Sequence, residues 1–143
     1  MAKFTDKTFL FELVSPERVI ASEQVSMVVV PGTEGDFGVL AQHAPLLSTV
    51  RAGVLSIHTP AGDVRQVFVS GGFADVTGTL CSVLVEEALP VDELNREAIE
   101  QKIKALKEDL KDFQIDDITE ARINRDIAIE DAKLLAIDYA EAA

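Results

Sequence analysis

Asp36 and His43 are the side chains with most to offer as chemistry, a carboxylate and an imidazole on one glycine-rich stretch, PGTEGDFGVLAQHAPLLSTV, residues 31–50. As an acid/base pair they would suit a small enzyme, yet no nucleophile or oxyanion donor joins them by spacing. Gly32, Gly35 and Gly38 recur at every third position and raise the question of a phosphate cradle. A phosphate loop needs Lys and Ser or Thr after its last glycine, or a helix opening there. Here Gly38 is followed by Val39-Leu40 and the local charges are negative. His43, His58 and Cys81 are the only nitrogen or sulfur ligands, and no ligand-like spacing links them. No metal and no cofactor is expected, and His43 is read as a turn or contact histidine. The expectation for the stretch is a tight exposed turn that presents Thr33, Glu34 and Asp36, after which Phe37, Val39 and Leu40 re-enter a core.

The elements that must hold this turn are short. Phe9, Phe11 and Leu13 alternate with Leu10, Glu12 and Val14, and Ser15-Pro16-Glu17 supplies a turn. Val19 to Met27 leads into the β-branched run Val25–Val30, which Pro31-Gly32 should end. Further runs are Val54–His58, Val64–Val69 after a hairpin-like Pro60-Ala61-Gly62-Asp63, then Phe73–Thr77 and Thr79–Val85 beyond the Gly71-Gly72 break. Strands this short and this regularly punctuated predict an all-β sandwich or flattened barrel.

The composition then changes sharply. All eight glycines and all five prolines lie at or before Pro90, which frees the remainder for uninterrupted helix. Two domains follow, a β-sandwich over residues 1–89 and a helical segment over 90–143, an α+β chain. Asp92 is expected to cap a first helix whose apolar stripe is Ile99, Ile103, Leu106, Leu110 and Phe113. Gln114-Ile115-Asp116 makes the connection. Asp117 with Glu120 opens a second helix with the small-residue stripe Ile118, Ala121, Ala128, Ala132, Leu135 and Tyr139. The two stripes predict an antiparallel helical hairpin.

A formal net charge of −12 argues against nucleic acid and anionic lipid as direct partners. No run reaches the roughly 20 apolar residues of a spanning helix, so membrane association must come through partners. With 48% hydrophobic residues and mean hydropathy +0.18 the chain is a folded one. A single cysteine and a start, MAKFTDKTF, without a signal-like apolar core predict a reducing cytosolic compartment.

Gly32–Leu40, His43-Ala44-Pro45-Leu46-Leu47, Gly53 and Val69-Ser70-Gly71-Gly72-Phe73-Ala74-Asp75-Val76, in that order and followed by a helical tail, resemble the epsilon subunit family of the bacterial-type F-type ATP synthase. The likeness spans nearly the whole chain. One departure is Ala41-Gln42, where the family usually has Pro-Gly ahead of the histidine. The resemblance implies a β-sandwich and a non-catalytic rotor chain at the cytoplasmic face of the bacterial inner membrane. Its implied partners are the gamma subunit, the c-subunit ring and, through the hairpin, the catalytic alpha and beta subunits. It also implies that the turn, with Glu34, Gly35, Asp36, Phe37 and, more weakly, His43, faces the polar loops of the ring. Some members bind ATP through an Asp-x-x-Arg-Ala element and paired arginines. The matching residues here are Asp92, Arg96, Arg122 and Arg125, but one residue too many separates Asp92 from Arg96, which predicts poor nucleotide binding. An acidic adaptor unrelated to that complex, and the small enzyme using Asp36 and His43, are the alternatives from the residues alone.

Overall fold

The structure is a computed structural model that describes residues 8–142. The opening MAKFTDK, considered above for a leader, lies outside them. Alternating and β-branched sequence gives ten strands: β1 Phe9–Val14, β2 Val19–Val25, β3 Met27–Gly32, β4 Gly35–Leu40, β5 Leu46–Val50, β6 Gly53–His58, β7 Val64–Val69, β8 Gly72–Val76, β9 Leu80–Val85 and β10 Ala88–Pro90. Strand β3 meets β5 at one pairing only, Gly32 with Val50, and there the ladder divides into two layers. One layer runs β4-β3-β6-β7-β10 and the other β5-β8-β9-β1-β2, every pairing antiparallel except β1 with β9. The arrangement is a nearly closed sandwich.

Its core is what strand alternation dictates. Phe11 and Leu13 of β1, Val28 and Val30 of β3, Leu55 and Ile57 of β6, Ala74 and Val76 of β8 and Val83 of β9 interleave between the layers with almost no exposure. Arg65 of β7 pairs with Glu23 of β2 and ties the layers together where β2 forms the edge.

Cys81 sits in the same core, and burial, with the Asp75 carboxylate adding, pushes its thiol up to about 12 from an ordinary 9.0. The unfolded chain releases this proton near the ordinary value while the folded chain keeps it. The stability that this provides is therefore complete below the ordinary value and lost as pH rises toward the folded one. Raising pH from about 8 to about 10.5 should lower the unfolding free energy by about 2 kcal/mol more in the natural chain than in Cys81→Ala, measured by urea titration. Equal pH slopes would remove this account.

Three local expectations are corrected. The turn is shorter than predicted, because β3 continues through Pro31 and Gly32 and β4 begins at Gly35. Only Thr33 and Glu34 form the turn, and Asp36 lies on a strand opposite Pro31. Leu46–Val50 and Ala88–Pro90 are strands where no strand was expected. Both are short, five and three residues, and show no clear alternation. The Ala41-Gln42 departure also has a physical consequence: Gln42 is the only described non-glycine residue with positive φ, 62°, a conformation that suits glycine.

Contacts divide the chain after Pro90. In the second unit a single 3-10 turn, Val91–Glu93, precedes α1, Arg96–Asp109, and α2 is Asp117–Ala142. Asp92 lies in the 3-10 turn and does not cap α1. Asn95 does, its side chain accepting from the Ala98 N–H at 3.0 Å. Asp116, not Asp117, caps α2, accepting from Thr119 N–H at 2.8 Å, and hydrogen bonding by the Thr119 side chain, with this N–H adding, holds its carboxyl below the usual range. Asn95 and Asp92, like Asp116 and Asp117, are all small polar side chains of the capping type, so residue type could not separate them. Helix α1 stops short of Phe113, which is 92% exposed.

The seam on α2 is likewise not the predicted one. Ile137 and the half-buried Ile127 and Leu134 pack on Ile99 and Ile103 of α1, with Ile123 also buried. Ile118, Leu135 and Tyr139 are exposed. Helix α2 has apolar residues on two faces, and the predicted stripe took the face that stays in solvent.

Candidate functional site

The tip of the β3–β4 hairpin is built by close backbone approach. A Cβ on Gly32 would come within 2.7 Å of the Gly35 carbonyl oxygen, and Gly35 turns the chain at φ 131°. The end of β5 fastens this tip. Thr33 N–H donates to the Thr49 carbonyl at 3.1 Å, the two threonine hydroxyls meet at 2.6 Å, and Arg51 N–H donates to the Pro31 carbonyl at 2.8 Å. The Arg51 guanidinium then donates to the Gly32 carbonyl and to Asp36 Oδ1, both at 2.6 Å. Glu34, Gly35 and Asp36 are exposed and Phe37 is half-buried against the core. These four predicted contact residues are brought together.

His43 is not with them. It lies beyond the far end of β4, where its Nδ1 meets the Ala44 carbonyl at 2.6 Å and Gln42 N–H donates to the Gly78 carbonyl. The strand between Asp36 and Leu40 alone spans ~13 Å. Asp36 therefore cannot act with His43 as an acid/base pair, and the small-enzyme alternative fails on geometry.

The arginines considered for nucleotide are also separated. Arg96, at the start of α1, pairs with Asp138 at 2.6 Å and Glu141 at 3.5 Å, so it lies beside the end of α2. Arg122 lies 16 residues earlier on that helix, ~24 Å away along its axis. It lines a cleft of 640 Å³ with Glu108, Asp109, Asp112 and Asp126, acidic surroundings that repel phosphate. Arg125 lies 13 residues before Asp138 on the same helix, ~20 Å away along its axis.

The outer face of the β5-β8-β9-β1-β2 layer carries a feature that is present in the strand alternation but involves no reactive side chain. Register places Phe73 beside Leu84, Leu84 beside Val14 and Val14 beside Val19, one row across four strands. Leu47 stands on the same face, opposite Asp75. Leu47 is 73% exposed, Phe73 56% and Leu84 50%. A contiguous exposed apolar row marks a contact surface.

A family profile described as the ATP synthase delta/epsilon chain β-sandwich domain matches residues 8–91. The chain belongs to this family. The ATP synthase epsilon chain of Rhodospirillum rubrum is 52% identical over 106 residues, 74% of this chain and 79% of the relative. That of Paramagnetospirillum magneticum is 54% identical over 106 residues, 74% of this chain and 80% of the relative. A chain in a structure of the Euglena gracilis mitochondrial ATP synthase shares the fold at a TM-score of 0.78, with 23% identity, over 91% of this chain and 81% of that one. The chain is thus an accessory subunit of ATP synthase and not itself a catalyst, and the unrelated-adaptor alternative is set aside.

Proposed function

We propose that the chain is a central-stalk subunit that turns with the rotor of a bacterial ATP synthase. Its sandwich would dock on the gamma subunit, its β3–β4 tip would meet the c-subunit ring, and its helical hairpin would act as a regulatory arm toward the catalytic subunits. The observation that carries this reading is the outer apolar row Phe73-Leu84-Val14-Val19 with Leu47, which starts beside the tip, where Phe73 pairs with Thr49, and runs away from it across the layer with an apolar chemistry unlike the acidic tip's. Two unlike contact surfaces suit a subunit that joins two unlike neighbours. Support comes from the Euglena structure, described as containing F1 and c-ring, and from a Tetrahymena thermophila structure described as central stalk and c-ring, matched at TM-score 0.66. The bacterial relatives support a position at the inner membrane, and no described helix is long and apolar enough to cross one. The subunit would be held there by its partners. Purification of the membrane ATPase tests the reading: this chain should be recovered in the complex, and its absence would overturn it.

The regulatory arm is expected to inhibit weakly. Residues 118–141 carry Arg122, Arg125 and Lys133 against Glu120, Asp126, Glu130, Asp131, Asp138 and Glu141. Lys133 and Glu130 moreover pair at 2.9 Å and are both buried. The family resemblance implies that such an arm meets an acidic segment of the catalytic subunits, and an acidic helix docks poorly there. Truncation after Pro90 should raise ATP hydrolysis by the complex by less than tenfold. A larger rise, a barrier change above about 1.4 kcal/mol, would show that the helix docks well.

A further inference from the structure

Asp36 is the acid for which the family resemblance implies a ring contact, but its charge is already met within the chain by Arg51. One guanidinium spans both legs of the hairpin, reaching Gly32 on β3 and Asp36 on β4 at 2.6 Å each. Arg51 itself follows β5, whose Thr49 holds the turn residue Thr33 by backbone and hydroxyl. A planar fork holding two acceptors in fixed directions sets geometry in a way that a flexible ammonium does not. The remaining acid, Glu34, stands on the turn itself, exposed, and none of the described ion pairs uses it.

We propose that Arg51 is a positioning residue for the tip: it struts the two legs of the hairpin through Gly32 and Asp36, and it leaves Glu34 as the acid that a polar or basic partner loop meets. This rests on the reading of the tip as a docking surface and deepens it. Asp36 then acts through Arg51 and not on the partner.

The decisive variant is the exchange Asp36→Arg with Arg51→Asp, which restores the pair with its charges reversed. In the purified full chain, Arg51→Ala and Asp36→Asn should each speed hydrogen exchange at the Thr33 amide about threefold or more, and the exchange variant should return it toward the natural rate. In membranes rebuilt with the full chain, each single variant should lower proton-driven ATP synthesis about threefold. The exchange variant should recover it, and Glu34→Lys should lower it with the Thr33 amide unchanged. Recovery in both assays supports the strut. Synthesis that stays low in the exchange variant while Thr33 protection returns overturns the proposal, since Asp36 would then be touching the partner directly. Unchanged Thr33 exchange in Arg51→Ala also overturns it. Natural synthesis in every variant, Glu34→Lys included, instead removes the tip as a docking surface, and the exchange measurement alone then decides whether the strut exists.

Discussion

Gly72→Ala should destabilise the sandwich by about 3 kcal/mol or more, enough to unfold many domains of this size at moderate temperature. Gly72 opens β8, pairs with Val50 on one side and Val85 on the other, and has φ 156°. A Cβ there would lie 1.8 Å from the Leu84 carbonyl oxygen and 2.9 Å from its carbon. Both are backbone atoms of a paired strand, so no rotamer change relieves the clash. The layer would have to open between β8 and β9, beside the core residues Ala74 and Val83. Gly35→Ala separates conformation from space, since φ there is 131° but nothing lies within 4 Å of the added Cβ. It should cost only about 1–2 kcal/mol. Gly38→Ala has neither problem, its Cβ meeting only Met27 Sδ at 3.9 Å, and should change stability by less than about 0.5 kcal/mol. Urea unfolding of the three variants provides the test. A Gly72→Ala chain as stable as Gly38→Ala would mean that β8 and β9 are not paired as described.

The same glycines show what could be read in the sequence. Gly71-Gly72 was legible as a break, but its cause is a neighbouring carbonyl that only the pairing of β8 with β9 brings there. The sandwich itself was legible because alternation, β-branched runs and turn residues agree with one another from Phe9 to Val85. The hairpin was legible from the loss of glycine and proline after Pro90. Which face of α2 is buried was not legible. Ile118 and Leu135 are as apolar as Ile123, Ile127 and Ile137, while the buried Glu130 and Lys133 argue against the true seam. Charge pairing reverses that bias, because Lys133 and Lys102 of α1 both reach Glu130, at 2.9 and 3.7 Å. The strut at the tip had no sequence signal either. Arg51 is separated from Asp36 by a whole strand, and only the fold sets the end of β5 against β3.

Phe73→Asp should weaken rebinding of the chain to ATP synthase membranes stripped of it by about 30-fold or more. The side chain is mostly exposed on the outer row, so the sandwich should tolerate the change within about 1 kcal/mol, the span of strand preference. Docking is another matter. An exposed aromatic flanked by Leu84 and Leu47 has the character of an interface anchor, and losing such an anchor costs at least about 2 kcal/mol, which corresponds to that factor. The introduced carboxylate adds to the loss, because an interface would bury it beside Asp75 on the same strand face. Two controls fix the interpretation. Phe73→Leu keeps apolar area and should bind within about threefold of the natural chain. Val64→Asp places a new acid at a half-exposed valine on β7, in the other layer, and should leave binding unchanged. If Val64→Asp weakens rebinding as much as Phe73→Asp, added negative charge and not the apolar row is responsible. If Phe73→Asp binds like the natural chain, the row is not the surface by which the sandwich meets its stalk partner.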